Sequence, residues 1–125
     1  MTEEQNVGDR IHLEGLEVSA QIGVTDQERS APQRLAFNIT LWPTPPQAGL
    51  QDDLARTVDY AAVAAETKRF VETRSDRLIE TLADALAKRL LDQFRIRRVK
   101  IELRKFVLPE TKFVSVVLTR DSAPK

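Results

Sequence analysis

Cysteine is absent from the sequence, and histidine occurs once, at His12. The first absence excludes disulfides, a thiolate nucleophile and any thiolate-ligated zinc. The second excludes a histidine-cluster metal centre within one chain. Neither sign of charge is in excess, since 19 Lys and Arg balance 19 Asp and Glu. A binding mode dominated by nucleic-acid phosphates or anionic lipid is therefore not expected. No apolar run is long enough to span a membrane. The opening Met1-Thr2-Glu3-Glu4-Gln5-Asn6 lacks the pattern of a signal peptide, so a cytoplasmic location is the expectation.

What remains is a chain of 125 residues, 42% hydrophobic and 30% charged, which fits one globular domain with a single core. Two-residue alternation marks the strands. Arg10 to Ile22 reads as a long strand whose phase changes at Gly15, the mark of a bulge. Gly23 to Gln33 reads as a loop. Arg34 to Trp42 is the clearest strand, with Leu35, Phe37, Ile39 and Leu41 on one face and Ala36, Asn38, Thr40 and Trp42 on the other. Arg98 to Lys105 and Phe113 to Arg120 supply two more, joined by a turn around Leu108-Pro109-Glu110-Thr111. Pro43 to Gly49 cannot continue a sheet.

Between the strand pairs lie two helices. The first runs from Asp59, a plausible cap, to about Thr73. The second runs from Ser75 or Asp76 to Phe94, with Ile79, Leu82, Ala83, Leu86 and Leu90 on one face. The order is ββααββ, an antiparallel α+β sheet with two antiparallel helices. A single domain over 10–120 is expected, with a flexible N-terminal tail over 1–9 and a C-terminal tail over 121–125. Both outer strands would be open edges. Pairing between subunits would close a ring into a barrel, and a monomer with charged edges is the alternative.

Four side chains could carry chemistry. Lys105 has the parity of the apolar row Val99, Ile101, Leu103. A lysine so placed is partly desolvated, a setting suited to proton transfer near neutral pH, or else it snorkels to water. Glu80 lies on the apolar flank of the second helix near its N-terminus. It reads either as a ligand-holding carboxylate or as a solvated charge pairing with the helix dipole. Tyr60, the only tyrosine, starts the first helix and could equally be a packing residue with a wet hydroxyl. Glu28 sits in the loop after Gly23 and could be an ordinary surface residue.

Together these four residues and their contexts resemble the dihydroneopterin aldolase family, from about Asp9 to Arg120. Asp9-Arg10-Ile11-His12-Leu13-Glu14-Gly15-Leu16 is similar to the family's first strand. Ile22-Gly23-Val24 with Glu28 is similar to the segment bearing its substrate-contacting glutamate. Asp52-Asp53-Leu54 through Thr57-Val58-Asp59-Tyr60 resembles the segment presenting its tyrosine. Leu78-Ile79-Glu80-Thr81-Leu82-Ala83 resembles the helix start whose glutamate anchors the pterin. Val99-Lys100-Ile101-Glu102-Leu103-Arg104-Lys105 resembles the strand ending in its catalytic lysine.

The resemblance implies the tunnelling fold, assembled as a tetrameric ring or an octamer with active sites between subunits. It implies a carbon–carbon lyase that needs neither metal, cofactor nor Schiff base, acting on a pterin in folate synthesis. Lys105, Tyr60 and Glu28 would be catalytic, and Glu28, Tyr60, Ile79 and Glu80 would bind substrate. Many members carry proline after the lysine, where this chain has Phe106. The related dihydroneopterin triphosphate epimerases lack it too, so C2′ epimerisation of a free or phosphorylated substrate is the alternative activity. A pterin-binding homologue without catalysis is the third. Pyruvoyl-tetrahydropterin synthases and GTP cyclohydrolase I share the fold but need His-rich or Cys and His zinc sites, which one His and no Cys cannot build.

Overall fold

The computed structural model describes residues 8–44 and 49–123. Strands β1 (Ile11–Ala20), β2 (Gln33–Pro43), β3 (Ile96–Lys105) and β4 (Val114–Asp121) form one sheet in the order β1-β2-β3-β4. Every neighbouring pair is antiparallel. A one-turn helix α1 (Asp26–Arg29) links β1 to β2, and helices α2 (Tyr60–Glu72) and α3 (Ile79–Gln93) lie between β2 and β3. The expected ββααββ order and antiparallel α+β class are those of the structure. Among the described residues no helix is long and apolar enough to cross a membrane.

Alternation along the strands builds the core. Leu35, Phe37, Ile39 and Leu41 of β2 and Val99, Ile101 and Leu103 of β3 are fully buried, with Leu86 and Leu90 of α3 and Val63 and Val71 of α2 in the same cluster. The β1–β2 register shifts between Leu13 and Leu16, which is the bulge expected at Gly15. Gly15 adopts φ of +72°, a region open to glycine, and its N–H donates to Asn38 Oδ1 at 2.7 Å.

Several expectations need correction. The first strand stops at Ala20 rather than Ile22, although Ile22 is buried. The stretch from Gly23 to Gln33 is not all loop. Thr25 caps α1 through a Thr-x-x-Glu box, and β2 already begins at Gln33. The second face of β2 is more buried than an outward face should be. Ala36, Thr40 and Trp42 are covered because β2 is an inner strand, flanked by the long side chains of its neighbours. The Arg98 guanidinium, for instance, lies 5.9 Å from the Trp42 ring centroid. Asp121 belongs to β4, not to a tail, and pairs with Arg98 at 2.6 Å. Most of the other residues expected to form the N-terminal tail, and part of the loop from Pro43 to Gly49, lie outside the described residues.

Helix α3 also starts later than expected. Ser75 and Asp76 do not cap it. The Asp76 carboxylate is taken by Arg74, with Nε–Oδ2 at 2.8 Å, and the Asp76 carbonyl accepts the Gly23 N–H at 3.2 Å. Leu78 occupies the cap position and contributes no side-chain hydrogen bond. Asp59 does cap α2 as expected, accepting from the Ala61 and Ala62 amides.

Glu66 was not singled out from the sequence, yet it is 7% exposed and joins the helices. It accepts from Arg69 Nε at 3.0 Å and Nη2 at 2.6 Å, and from Arg89 Nε of α3 at 2.8 Å. The Arg69 bonds, then Arg89, hold its carboxyl below the usual carboxylate range. A carboxyl whose folded value is depressed contributes stability above its unfolded value and loses it as pH falls through the folded one. Glu66→Gln is expected to lower stability at neutral pH and to flatten the loss on acidification. Urea unfolding across the acid range checks both; an unchanged pH slope would contradict it.

Candidate active site

Lys105 closes β3, opposite Leu35 of β2 and Val114 of β4. The row that buries Val99, Ile101 and Leu103 buries it too, leaving its side chain 11% exposed. The expected partial desolvation is present. Glu28, in α1, faces it with Oε2 at 3.6 Å from Lys105 Nζ. The Glu28 side chain is 40% exposed. The Thr25 amide, then the Lys105 ammonium and the Thr25 hydroxyl, hold the Glu28 carboxyl below its ordinary value against the opposing effect of burial.

Local backbone chemistry brings Glu28 there. Gly23 has φ of +152°, and a Cβ on it would lie 2.3 Å from Glu28 Cβ. Only glycine leaves room for the glutamate to fold back over the chain. Arg29 Nη1 donates to the carbonyls of Gly23 at 2.7 Å and Val24 at 3.0 Å, and Arg29 also pairs with Asp26. The Gly23–Asp76 hydrogen bond then ties this turn to the segment leading into α3.

Beside Lys105 opens a cavity of about 310 Å³, walled by Val24, Leu78, Ile79, Glu80 and Val107, with Arg77 at its edge. Since no side chain caps α3, the first N–H groups of that helix are left for another acceptor. Main-chain donors at Ile79 therefore adjoin an acceptor carboxylate at Glu80, a pairing suited to a flat heterocycle edge bearing both donors and acceptors. Glu80 is not half-sunk in an apolar flank as expected: it is exposed in the isolated chain. The late start of α3 places it in the first turn, on the cavity rim rather than along the packed stripe.

Tyr60 is not brought to this cavity. It opens α2 and is 61% exposed. Thr57 and Val58, just before it, adjoin Pro43, Thr44 and Arg95 at the far end of the sheet. From Ile96 to Lys105 β3 spans roughly 30 Å. One chain thus unites Lys105, Glu28, Ile79 and Glu80 and leaves Tyr60 at the opposite end.

The dihydroneopterin aldolase family model matches residues 11–119. The chain belongs to the dihydroneopterin aldolase family. A dihydroneopterin aldolase of Haemophilus influenzae is 33% identical over 113 residues, covering 90% of this chain and 96% of the relative. The E. coli dihydroneopterin aldolase, solved in complex with neopterin, aligns with a TM-score of 0.83 at 32% identity, covering 90% of this chain and 98% of that one. A Burkholderia thailendensis dihydroneopterin aldolase solved with guanine bound aligns with a TM-score of 0.74 at 28% identity, covering 92% of both chains. The function class is that of the family, an aldolase and hence a lyase acting on dihydroneopterin. These neighbours carry the tunnelling fold, which is therefore the fold of this chain.

Thr25 escaped the sequence reading although the signal was there: Thr25-Asp26-Gln27-Glu28 has the spacing of a capping box. Gly23→Ala is expected to displace Glu28 and lower turnover of dihydroneopterin by roughly 10²-fold, the scale of a ~1 Å misplacement near a reacting centre. Steady-state kinetics alongside circular dichroism measure this. Wild-type turnover would mean that the glutamate's position is immaterial.

Proposed function

We propose that the cavity at Lys105 binds 7,8-dihydroneopterin and cleaves it to 6-hydroxymethyl-7,8-dihydropterin and glycolaldehyde. The observation that carries this reading is a buried lysine beside a cavity, with the Glu28 carboxylate 3.6 Å away. In the reaction the C1′–C2′ bond breaks. The C2′ hydroxyl gives up its proton as the aldehyde forms, and the bonding pair passes into the pterin ring before C1′ is protonated. The ring is the electron sink, so the protein's task is orientation and proton transfer.

On this reading Glu80 accepts from the pterin amino and ring N–H groups, and the Ile79 main chain completes that edge. The neopterin and guanine bound by the two solved relatives support it, since both present such an edge. Lys105 moves the proton at the ring nitrogen beside the side chain, and Glu28 holds the lysine. Tyr60 serves the side-chain hydroxyls of a substrate held by the adjacent subunit. Two observations support that division: Tyr60 lies at the wrong end of its own sheet, and β1 and β4 are open edges. The assembly proposed is a ring closed by edge pairing, as a tetramer or a stacked octamer. A cytoplasmic location belongs to the same proposal.

The position of Phe106 favours a second reading. It follows Lys105 directly and lies under the Arg34 guanidinium, 3.9 Å from its ring centroid. An altered turn beside the acid–base would favour epimerisation at C2′ of dihydroneopterin or its triphosphate. Chromatography of pterins after incubation with 7,8-dihydroneopterin decides between them. Hydroxymethyl-dihydropterin is the expected product, and an epimer alone would replace the aldolase reading.

Lys105→Ala is expected to keep the fold and to keep pterin affinity within about tenfold, a margin of about 1.4 kcal/mol. The chemical step should fall ~10²–10⁴-fold, the usual worth of a positioned acid–base. Single-turnover kinetics separate that step from product release. A near-normal chemical step would assign the proton to Tyr60 or water.

A further inference from the structure

The Glu28 carboxylate is divided between two partners. Its Oε1 accepts from the Thr25 main-chain N–H at 3.2 Å and from the Thr25 hydroxyl at 3.2 Å. Its Oε2 is the oxygen that faces Lys105 Nζ. The Thr25 hydroxyl also accepts from the Glu28 N–H at 3.1 Å, so backbone and side chain of the glutamate are gripped by the same residue. A glutamate side chain has three freely turning bonds. With its side chain 40% exposed and the lysine pair beyond tight hydrogen-bonding distance, Lys105 alone would not hold it. The two bonds from Thr25 and the contact with Gly23 remove that freedom.

We propose that Thr25 is a positioning residue for the aldolase reaction: it fixes one oxygen of Glu28 so that the other stays aimed at the Lys105 ammonium. Thr25 does not line the cavity and touches no substrate on this arrangement. It acts through Glu28 only. The inference rests on the reading of Lys105 as the acid–base.

The hydroxyl is the part of Thr25 that a substitution can remove. Thr25→Val keeps the shape and the main-chain donor and loses the hydroxyl. Thr25→Ser restores it. Loss of a hydrogen bond to a charged acceptor should lower kcat about tenfold. Pterin affinity, carried by Glu80 and Ile79, should stay within about twofold. Glu28 should lose part of what holds its carboxyl low, so the acid limb of the kcat/KM profile should move to higher pH. A loop that was merely loosened would move neither the limb nor kcat selectively.

The experiment is a double-mutant cycle on the full chain, with wild type, Thr25→Val, Glu28→Gln and the double variant, plus Thr25→Ser as rescue and Lys105→Ala as control. The expected result is that Thr25→Val costs about tenfold in the wild type and nothing further when Glu28 is already glutamine, and that Thr25→Ser recovers most of the loss. Additive losses, or an unchanged kcat in Thr25→Val, would overturn the positioning role. Lys105→Ala tells the two failures apart. A large loss there, with additivity at Thr25, removes the positioning role alone. A near-normal chemical step there removes the reading of Lys105 and the role of Thr25 with it.

Discussion

Alternation along β3 forces Lys105 into the row of Val99, Ile101 and Leu103, and the consequences of that one placement run through the rest of the site. A strand has no way to turn a single side chain to its other face without a bulge. At the last position of the row the core ends, so the ammonium is deep enough to be desolvated and near enough to the rim to meet a small molecule. Its burial demands a polar partner. That partner comes from α1, a helix of four residues that exists because Thr25 caps it and Gly23 lets the chain double back. The cavity, the buried lysine and the carboxylate are thus products of where a sheet stops rather than of a separate loop scaffold.

The same logic explains the edge proposed to hold the pterin. Helix α3 packs its apolar stripe on the sheet, so its first turn must emerge where the sheet ends, beside Lys105. Arg74 occupies the Asp76 carboxylate, and the Asp76 carbonyl binds the Gly23 amide. The residue that looks like the cap is thereby spent on holding the α1 turn, and the helix begins uncapped at Leu78. Bare helix amides and the Glu80 carboxylate are then available to a ligand. A conventional cap would have stabilised α3, by about 1 kcal/mol, while covering the donors that the proposed heterocycle would use.

The fold was legible because it rests on local periodicity. Four strands, two helices, the bulge at Gly15 and the burial of Lys105 all follow from spacings within a few residues. What was illegible depends on pairings across the chain. Glu66 is buried because Arg89 reaches it from 23 residues away, and nothing near Glu66 announces that. Asp76 fails as a cap because Arg74 and Gly23 compete for it, two partners that a helix-start rule does not weigh. Glu80 was assigned its burial from a helical wheel, and the wheel does not record that the first turn projects past the sheet. Glu28 was marked by the family resemblance, but spacing alone left it a polar loop residue, because its capping box with Thr25 went unread.

Tyr60 shows where a single chain stops being the functional unit. Its helix must start at the Pro43 end of the sheet, because β2 delivers the chain there and α2 returns it to the Lys105 end so that α3 can begin beside the cavity. That route packs both helices against the one core. It therefore leaves the tyrosine near the Pro43 end of the sheet and Lys105 at the other, too far apart for side-chain motion to bring them together. If the tyrosine takes part in the chemistry, it must come from another copy. The open edges at β1 and β4 are the surfaces through which a copy can dock without disturbing the helices. Catalysis would then depend on assembly through sheet geometry alone.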